Sequence, residues 1–265
     1  MNDETNLGKL ARELAVARRS HGVVAAHALE RLSGFGDAYQ LQERVRAELG
    51  ATVVGWKLAA PPSAEVISAP LFSTGCMASC ELLVDAALLR DGVECELAFR
   101  IDHALPAGEC SREELAAAIG AVMPAFGLLC SPLPAKFASP REHIVADCLG
   151  HGAVVLGAPL DDWRALVFDE LQVTLWADDA LVVDKAGGNP FGDPLRAVAL
   201  LAKHLAQRGQ TLEAGTFVLA GSHTGVFHAP PKGRLRCAFE GVDEVALTVS
   251  GAAPTSSKEN SDAGR

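Results

Sequence analysis

The chain has 265 residues, of which 49% are hydrophobic and 21% charged, a composition typical of a globular protein and not of a disordered one. Its formal net charge is -10. Because it also lacks a basic run, we expect no binding to nucleic acid and no binding to anionic membrane surfaces.

The N-terminal sequence MNDETNLGKLARELAVARRS has no continuous apolar segment of the kind found in secretory signals. No stretch has the apolar length that a membrane span needs. The seven cysteines are scattered without paired metal-site spacing, which is typical of reduced thiols. The sequence therefore predicts a cytoplasmic protein.

Residues 1–50 are predicted to form a helical N-terminal segment. Apolar residues recur there at helical spacing, first at Leu10, Leu14 and Ala17, and then at Ala25, Leu29 and Leu32. A second helix is predicted from Asp37 to Leu49, because the following Gly50 is a common residue at helix ends.

Residues 51–251 are predicted to form a β-rich body that makes one domain with the helical segment. Eight runs have strand length and β-branched content: VVGWKLAA, VECELAFRI, GAVVLG, LQVTLW, ALVVD, TFVLAG, LRCAF and EVALTV. Asp178 and Asp179 predict a hairpin turn between two of them. The polar residues 252–265 predict a disordered tail.

Two helices are expected inside this body. The first covers Arg112 to Val122. The second is capped by Asp193, begins with Pro194 and ends near Gly209. The fold class is therefore α+β, with a helical N-terminal segment packed on a largely antiparallel β body.

Glu94 and Glu96 are the first candidate site residues, within the predicted strand VECELAFRI. Residues two apart on a strand share a face, so the two carboxylates would converge on one point. A hard divalent cation relieves the repulsion between two such carboxylates. The same spacing also fits a polar stripe that faces solvent.

Lys57 lies in the apolar strand sequence GWKLAA. A lysine in such a setting can offer a cation to a carboxylate or an enolate. Alternatively, its ammonium group can simply reach water from the edge of the strand.

The turn AGSHTG, residues 220–225, is the third candidate feature. Its backbone N–H groups and the hydroxyls of Ser222 and Thr224 can bind a carboxylate. The same sequence is also compatible with a β-turn that has no binding role. The chain contains no GxSxG motif and no phosphate-binding loop, which argues against triad hydrolases and common nucleotide sites.

Seven segments in this order resemble the 2-oxopent-4-enoate hydratase and 4-oxalocrotonate decarboxylase family. They are DAYQLQ (37–42), GWKL (55–58), ECELAF (94–99), MPAF (123–126), VVLG (154–157), GDPLRAVALLA (192–202) and LEAGTFVLAGSHTG (212–225). The resemblance spans roughly residues 8–250.

The resemblance implies a curved mixed sheet of the fumarylacetoacetate hydrolase-like type in a homo-oligomer. It implies Mg²⁺ or Mn²⁺ held by three acidic residues, of which Glu94 and Glu96 are two. The family's catalytic lysine corresponds to Lys57, and its substrate-binding hydroxyls correspond to Ser222 and Thr224.

Three positions depart from the family pattern, and all belong to its metal and substrate site. Gly127 stands where the third metal-binding glutamate is expected, Cys130-Ser131-Pro132 replaces Asp-Ser-Arg, and Asp147-Cys148 replaces Asp-Asn. We therefore expect the metal to be weakly held or absent, unless water or another residue completes the site. The candidate replacement ligands are Asp147, His151 and His223.

The resemblance favours a lyase that acts on a small 2-oxo acid or 2-hydroxydienoate through a metal-stabilised enolate. Within that class a hydratase is favoured over a decarboxylase. Two alternatives stay open: a metal-independent tautomerase or cyclase on the same fold, and a non-catalytic subunit that binds a ligand or a partner.

Overall fold

A computed structural model describes residues 2–59, 66–79, 82–105 and 108–251, with side chains from Asn6 onward. The predicted tail at 252–265 lies outside the described residues. Within these ranges, no helix combines the length and the apolar character needed to cross a membrane.

Five α-helices occur in the described part of the chain: α1 (Asn2–Arg19), α2 (Phe35–Leu49), α3 (Arg112–Ala118), α4 (Arg141–Ala146) and α5 (Pro194–Gln207). Gly50 ends α2 as predicted, with a left-handed φ of 64°. The prediction of a helix between Ala25 and Leu32 is wrong. That segment forms turns, with hydrogen bonds from Ala28 to Ala25 and from Leu32 to Leu29.

The described residues form twelve strands: β1 (Val53–Ala59), β2 (Ile67–Phe72), β3 (Cys76–Ala78), β4 (Leu83–Asp85), β5 (Gly92–Ile101), β6 (Ile119–Leu129), β7 (His151–Leu156), β8 (Gln172–Ala177), β9 (Ala180–Ala186), β10 (Phe217–Ser222), β11 (Gly233–Phe239) and β12 (Asp243–Ser250). They make a seven-stranded sheet in the order β2-β1-β10-β5-β6-β7-β3 and a five-stranded sheet in the order β4-β12-β11-β8-β9.

The eight predicted strands are all present, and the hairpin at Asp178 joins β8 to β9. The helix predicted to reach Val122 is too long. It begins as predicted, with Ser111 and Glu114 forming a capping box, but it ends at Ala118. From Ile119 onward the chain pairs as β6, because β-branched residues between two strands gain more from the sheet than from a helix.

Three apolar clusters organise the molecule. The largest lies between the two sheets and includes Leu97 and Phe99 from β5 and Val173 from β8. The second joins α1 and α2 to β2 and α4. The third lies on the opposite face of the seven-stranded sheet and includes Ala98 and Leu219. The predicted α+β architecture, helices on a mixed β body, is confirmed.

Helix α5 follows its predicted boundaries closely. The Asp193 carboxylate accepts a hydrogen bond from the backbone N–H of Leu195 at 2.9 Å, and Pro194 occupies the first turn. Arg196 and Lys203 are exposed, as expected for the polar face of a helix that buries Leu201 and Leu205.

Replacing Asp193 with alanine tests this cap. We expect the free energy of unfolding to fall by about 0.5–2 kcal/mol, because one backbone donor at the helix start loses its acceptor. Urea denaturation measures the change. Asp193 also forms an ion pair with Arg112 at 2.6 Å, so the matched control is Arg112→Ala, which removes the ion pair and leaves the cap. Equal stability of the two variants would contradict the capping role.

Candidate functional site

Strand β5 carries the two glutamates identified in the sequence. Glu94 pairs across the sheet with Gly127 of β6, and Glu96 pairs with Ala125. Residues two apart on a strand project to one face, so both glutamates share the face that also carries Ala98. The intervening Cys95 faces the core between the two sheets.

Lys57 lies beside this pair. Its strand, β1, is separated from β5 by β10, and Lys57 pairs with Leu219, which in turn pairs with Ala98. The Lys57 Nζ atom is 3.5 Å from Oε2 of Glu94, and both side chains are largely buried, at 9% and 19% exposure. The structure thus brings together Lys57, Glu94 and Glu96, which are far apart in the sequence.

Glu96 is the most deeply buried member of the three, with 2% of its surface exposed. Its Oε2 atom accepts a hydrogen bond from the backbone N–H of Gly221 at 3.0 Å. Its Oε1 atom is buried and has no hydrogen-bond partner among the described residues. Burial, reinforced by repulsion from Glu94, raises the pKa of Glu96 to about 7, although Lys57 and the Gly221 N–H oppose the shift.

An irregularity in β10 brings the third candidate feature to the same face. The register between β10 and β5 shifts between Leu219 and Ser222, so that Ser222 stands opposite Glu96. Gly221 provides the required positive φ of 95°. The Thr224 hydroxyl accepts a hydrogen bond from the Cys95 N–H at 3.2 Å, and the Ser222 hydroxyl donates to the Gly225 carbonyl at 3.1 Å.

Gly127 leaves a gap beside the two carboxylates. A β-carbon at this position would lie 2.9 Å from Oε1 of Glu96 and 3.9 Å from Oε2 of Glu94. Its backbone has no positive φ and runs in a regular strand, so residues with side chains are sterically compatible with the main chain. The residue expected to supply a third carboxylate therefore points at the other two and lacks the side chain to reach them.

Asp147 is placed in a different cluster. It is 1% exposed, its Oδ1 atom is 2.8 Å from Arg18, and its Oδ2 atom accepts a hydrogen bond from the Ser131 hydroxyl at 2.5 Å. Burial raises the pKa of Asp147 to about 6, against the opposing effect of Arg18. Arg18 also donates to the His151 carbonyl at 2.6 Å, so this network ties the end of α1 to the start of β7.

His223 follows Ser222 but faces the other way, into the core between the sheets. Its ring packs edge-on against Phe239, with 5.2 Å between the ring centres. No group of three or more histidine, cysteine, aspartate or glutamate side chains in the described ranges is arranged to hold a metal ion. The structure therefore does not join Asp147, His151 or His223 to the two glutamates as a third ligand.

The buried His223 makes the stability depend on pH. Burial, with a contribution from Lys185, lowers its pKa from 6.5 to about 4. Since the unfolded chain binds this proton more readily than the folded one, the stability is complete above about pH 6.5 and is lost as the pH falls towards 4.

We expect His223→Leu to remove roughly 1–3 kcal/mol of acid-induced destabilisation between pH 7 and pH 4. Urea denaturation at both pH values measures it, with the exposed His228→Leu as the matched control. The same pH dependence in the wild type and in His223→Leu would show that His223 is not the group responsible.

Two curated relatives match most of the chain. The chain is 25% identical over 225 residues to a 4-oxalocrotonate decarboxylase from Pseudomonas putida, covering 80% of this chain and 84% of that protein. It is 27% identical over 220 residues to a 2-keto-4-pentenoate hydratase from Paraburkholderia xenovorans (strain LB400), covering 79% and 81% respectively. No family model matches the chain.

Solved structures show the same fold. The 4-oxalocrotonate decarboxylase from Pseudomonas putida G7, complexed with magnesium and adipate, has a TM-score of 0.82 at 22% identity, covering 93% of this chain and 98% of that one. A 5-carboxymethyl-2-hydroxymuconate delta-isomerase from Mycobacterium smegmatis has a TM-score of 0.52 at 15% identity, covering 76% and 79%. The chain is thus similar along most of its length to 4-oxalocrotonate decarboxylases and 2-keto-4-pentenoate hydratases, and it has the fumarylacetoacetate hydrolase-like fold.

Proposed function

We propose that this protein is a lyase acting on a small 2-oxo acid or its 2-hydroxydienoate enol, with hydration favoured over decarboxylation. The observation that carries the proposal is the convergence of Lys57, Glu94 and Glu96 on one face of the large sheet. The relatives named as a decarboxylase and a hydratase support the same reaction class. We further propose that the protein is a cytoplasmic homo-oligomer.

The two glutamates fit a divalent cation such as Mg²⁺ or Mn²⁺, weakly held. Two carboxylates directed at one point form a hard oxygen donor set, and magnesium commonly binds through one or two carboxylates with water in its other positions. The buried Oε1 atom of Glu96 is without a hydrogen-bond partner among the described residues, which is the state expected of a ligand oxygen. When bound, the cation would act as a Lewis acid that stabilises the enolate.

Lys57 would bind and orient the substrate. Its ammonium group is 3.5 Å from Glu94 in a largely buried setting, where the attraction between charges is stronger than in water. From this position it can bind the substrate carboxylate or the enolate oxygen and can pass a proton to the substrate. The hydroxyls of Ser222 and Thr224, which now donate to the Gly225 carbonyl, can rotate towards a bound carboxylate.

The gap at Gly127 favours a second candidate function, a metal-independent tautomerase or cyclase. With only two carboxylates at the site, Lys57 supplies the one positive charge beside them in the described residues. A cation in this position can stabilise an enolate without a metal. The chemistry would then be proton transfer at the carbon next to the carbonyl.

Turnover of 2-hydroxypenta-2,4-dienoate separates the candidates. The protein is first stripped with a chelator, and the loss of the dienol absorbance is then followed with and without added Mg²⁺. We expect Mg²⁺-dependent loss with formation of the hydrated product. Ketone formation without metal would support the tautomerase instead. If the protein neither converts nor binds the acid, that result would contradict both the lyase and the tautomerase proposals and would support a non-catalytic subunit.

A further inference from the structure

The irregular part of β10 has two backbone carbonyls outside the regular ladder. The register of β10 against β1 ends at Leu219, and the register against β5 is interrupted there and resumes at Ser222. Neither neighbouring strand therefore pairs with Ala220 or Gly221, and both of these residues are buried. Because buried carbonyl groups are nearly always hydrogen-bonded, these two need a donor from another part of the chain.

Asn189, between β9 and α5, supplies that donor. Its Nδ2 atom donates hydrogen bonds to the Ala220 carbonyl at 2.9 Å and to the Gly221 carbonyl at 3.3 Å. Its Oδ1 atom accepts a hydrogen bond from the backbone N–H of Phe191 at 2.9 Å. An amide oxygen only accepts and an amide nitrogen only donates, so these three bonds together fix the orientation of the side chain.

The Ala220 carbonyl and the Gly221 N–H belong to the same peptide unit. That unit is planar and trans, so its C=O and N–H groups point in opposite directions. Asn189 holds the carbonyl end, and the N–H end donates a hydrogen bond to Oε2 of Glu96 at 3.0 Å. The side chain that holds the carbonyl therefore also sets the direction of the N–H.

Gly221 makes this restraint necessary. Its φ of 95° lies in a region that glycine adopts at little cost, so the backbone on its own does not fix the peptide orientation. Pro190 and Phe191 confine the α-carbon, because a β-carbon at Gly221 would lie 2.9 Å from Cγ of Pro190 and 3.0 Å from Cε2 of Phe191. These contacts limit where the residue lies, whereas the hydrogen bonds of Asn189 determine how its peptide unit is turned.

Glu96 in turn depends on the Gly221 N–H. This N–H is bonded to Oε2, and the buried Oε1 atom has no hydrogen-bond partner among the described residues. With Oε2 held in this way, Oε1 lies beside Gly127, where the substrate and a cation are proposed to bind. Groups that orient a metal ligand or a catalytic carboxylate from behind commonly influence both affinity and activity.

We propose that Asn189 is a positioning residue of the proposed active site. It holds the peptide unit between Ala220 and Gly221 so that the N–H of this unit orients Glu96. Asn189 acts on Glu96 through that peptide unit, and its role in the reaction rests on the proposed function of the site.

Asn189→Asp tests the donor. Aspartate keeps the shape of the side chain and the oxygen that accepts from Phe191, but it places a carboxylate oxygen where the NH₂ group faces two carbonyls. In protein labelled with isotopic glycine, the amide resonance of Gly221 reports its hydrogen bond to Glu96. We expect its proton shift to move upfield and its hydrogen exchange to become faster. Asn189→Ser, which keeps an acceptor for Phe191, carries the test if Asn189→Asp does not fold.

Calorimetric titration with Mg²⁺ and turnover of the 2-hydroxydienoate are the second and third measurements. Asn189→Asp should weaken Mg²⁺ binding and lower kcat/KM by about tenfold each, the lower end of the effect of groups behind a metal ligand. Asp193→Ala is the matched control, because Asp193 caps α5 at the end of the same connection and forms no hydrogen bond with β10 in the described residues. It should leave the Gly221 resonance, the Mg²⁺ affinity and the activity unchanged.

The resonance of Gly221 separates this inference from the proposed lyase. An unchanged resonance in folded Asn189→Asp, or an equal change in Asp193→Ala, would overturn the positioning role and leave the lyase proposal standing. If the wild type neither binds Mg²⁺ nor converts the dienoate while the resonance changes as expected, the lyase proposal is wrong and Asn189 still orients Glu96.

Discussion

Replacing Lys57 with methionine is expected to lower kcat/KM for the 2-hydroxydienoate by roughly 10²–10⁴, the usual contribution of a positioned proton-transfer group. Methionine is also unbranched, is only one atom shorter than lysine, and removes the charge. The loss should appear mainly in kcat, because an ammonium group that acts on the developing enolate stabilises the transition state more than the bound substrate.

The same substitution changes the electrostatics of the carboxylate pair. Lys57 opposes the rise in the pKa of Glu96, so its removal should raise that pKa further. The matched control is Lys203→Met. Lys203 is exposed on α5, forms an ion pair with Glu109 at 2.8 Å and is not one of the residues of the proposed active site. Full activity in a folded Lys57→Met variant would remove Lys57 from the mechanism.

Gly127→Glu is expected to tighten Mg²⁺ binding by on the order of 10²-fold. Loss of a group that merely supports a metal ligand costs roughly 10–100-fold in affinity, and a direct carboxylate ligand adds a full negative charge and an oxygen donor. The β-carbon of the new residue would point at Oε1 of Glu96, 2.9 Å away. That atom is the end of a side chain and can move by the small distance required.

Gly127→Gln is the matched control, since it fills the same space without the charge. Calorimetric titration of the wild type and both variants with Mg²⁺ measures the effect, and thermal unfolding checks that each variant folds. Tight Mg²⁺ binding by the wild type, with no gain in Gly127→Glu, would mean that some other group completes the site.

Two strands, β2 and β6, were not predicted from the sequence because each contains a proline. β2 contains Pro70, and proline usually argues against a strand because it lacks the backbone donor. It is tolerated here because β2 is the edge of the seven-stranded sheet. β6 contains Pro124. Its carbonyl accepts a hydrogen bond from the N–H of Gly157, which lies just beyond the end of β7. In an antiparallel pair the N–H and C=O of one residue point to the same side, so the N–H that Pro124 lacks would also face the region beyond β7 and would not belong to the regular ladder.

The site was predictable only in part from local patterns. The two-residue spacing of Glu94 and Glu96 correctly placed both carboxylates on one face. No local pattern could bring Lys57 to them, because that contact depends on β10 lying between β1 and β5, and only the family resemblance implied it. The Gly221 N–H that binds Glu96, and the pairing of Arg18 with Asp147 across 129 residues, arise from tertiary packing that sequence spacing does not encode.

The most direct test of the proposed active site is a crystal structure of the protein soaked with Mg²⁺ and oxalate, a stable analogue of a 2-oxo acid. We predict a cation bound between Glu94 and Glu96, with water on the side of Gly127 and the oxalate within hydrogen-bond distance of Lys57. Well-ordered oxalate bound elsewhere, with both glutamates directed into bulk solvent, would contradict the assignment of this site.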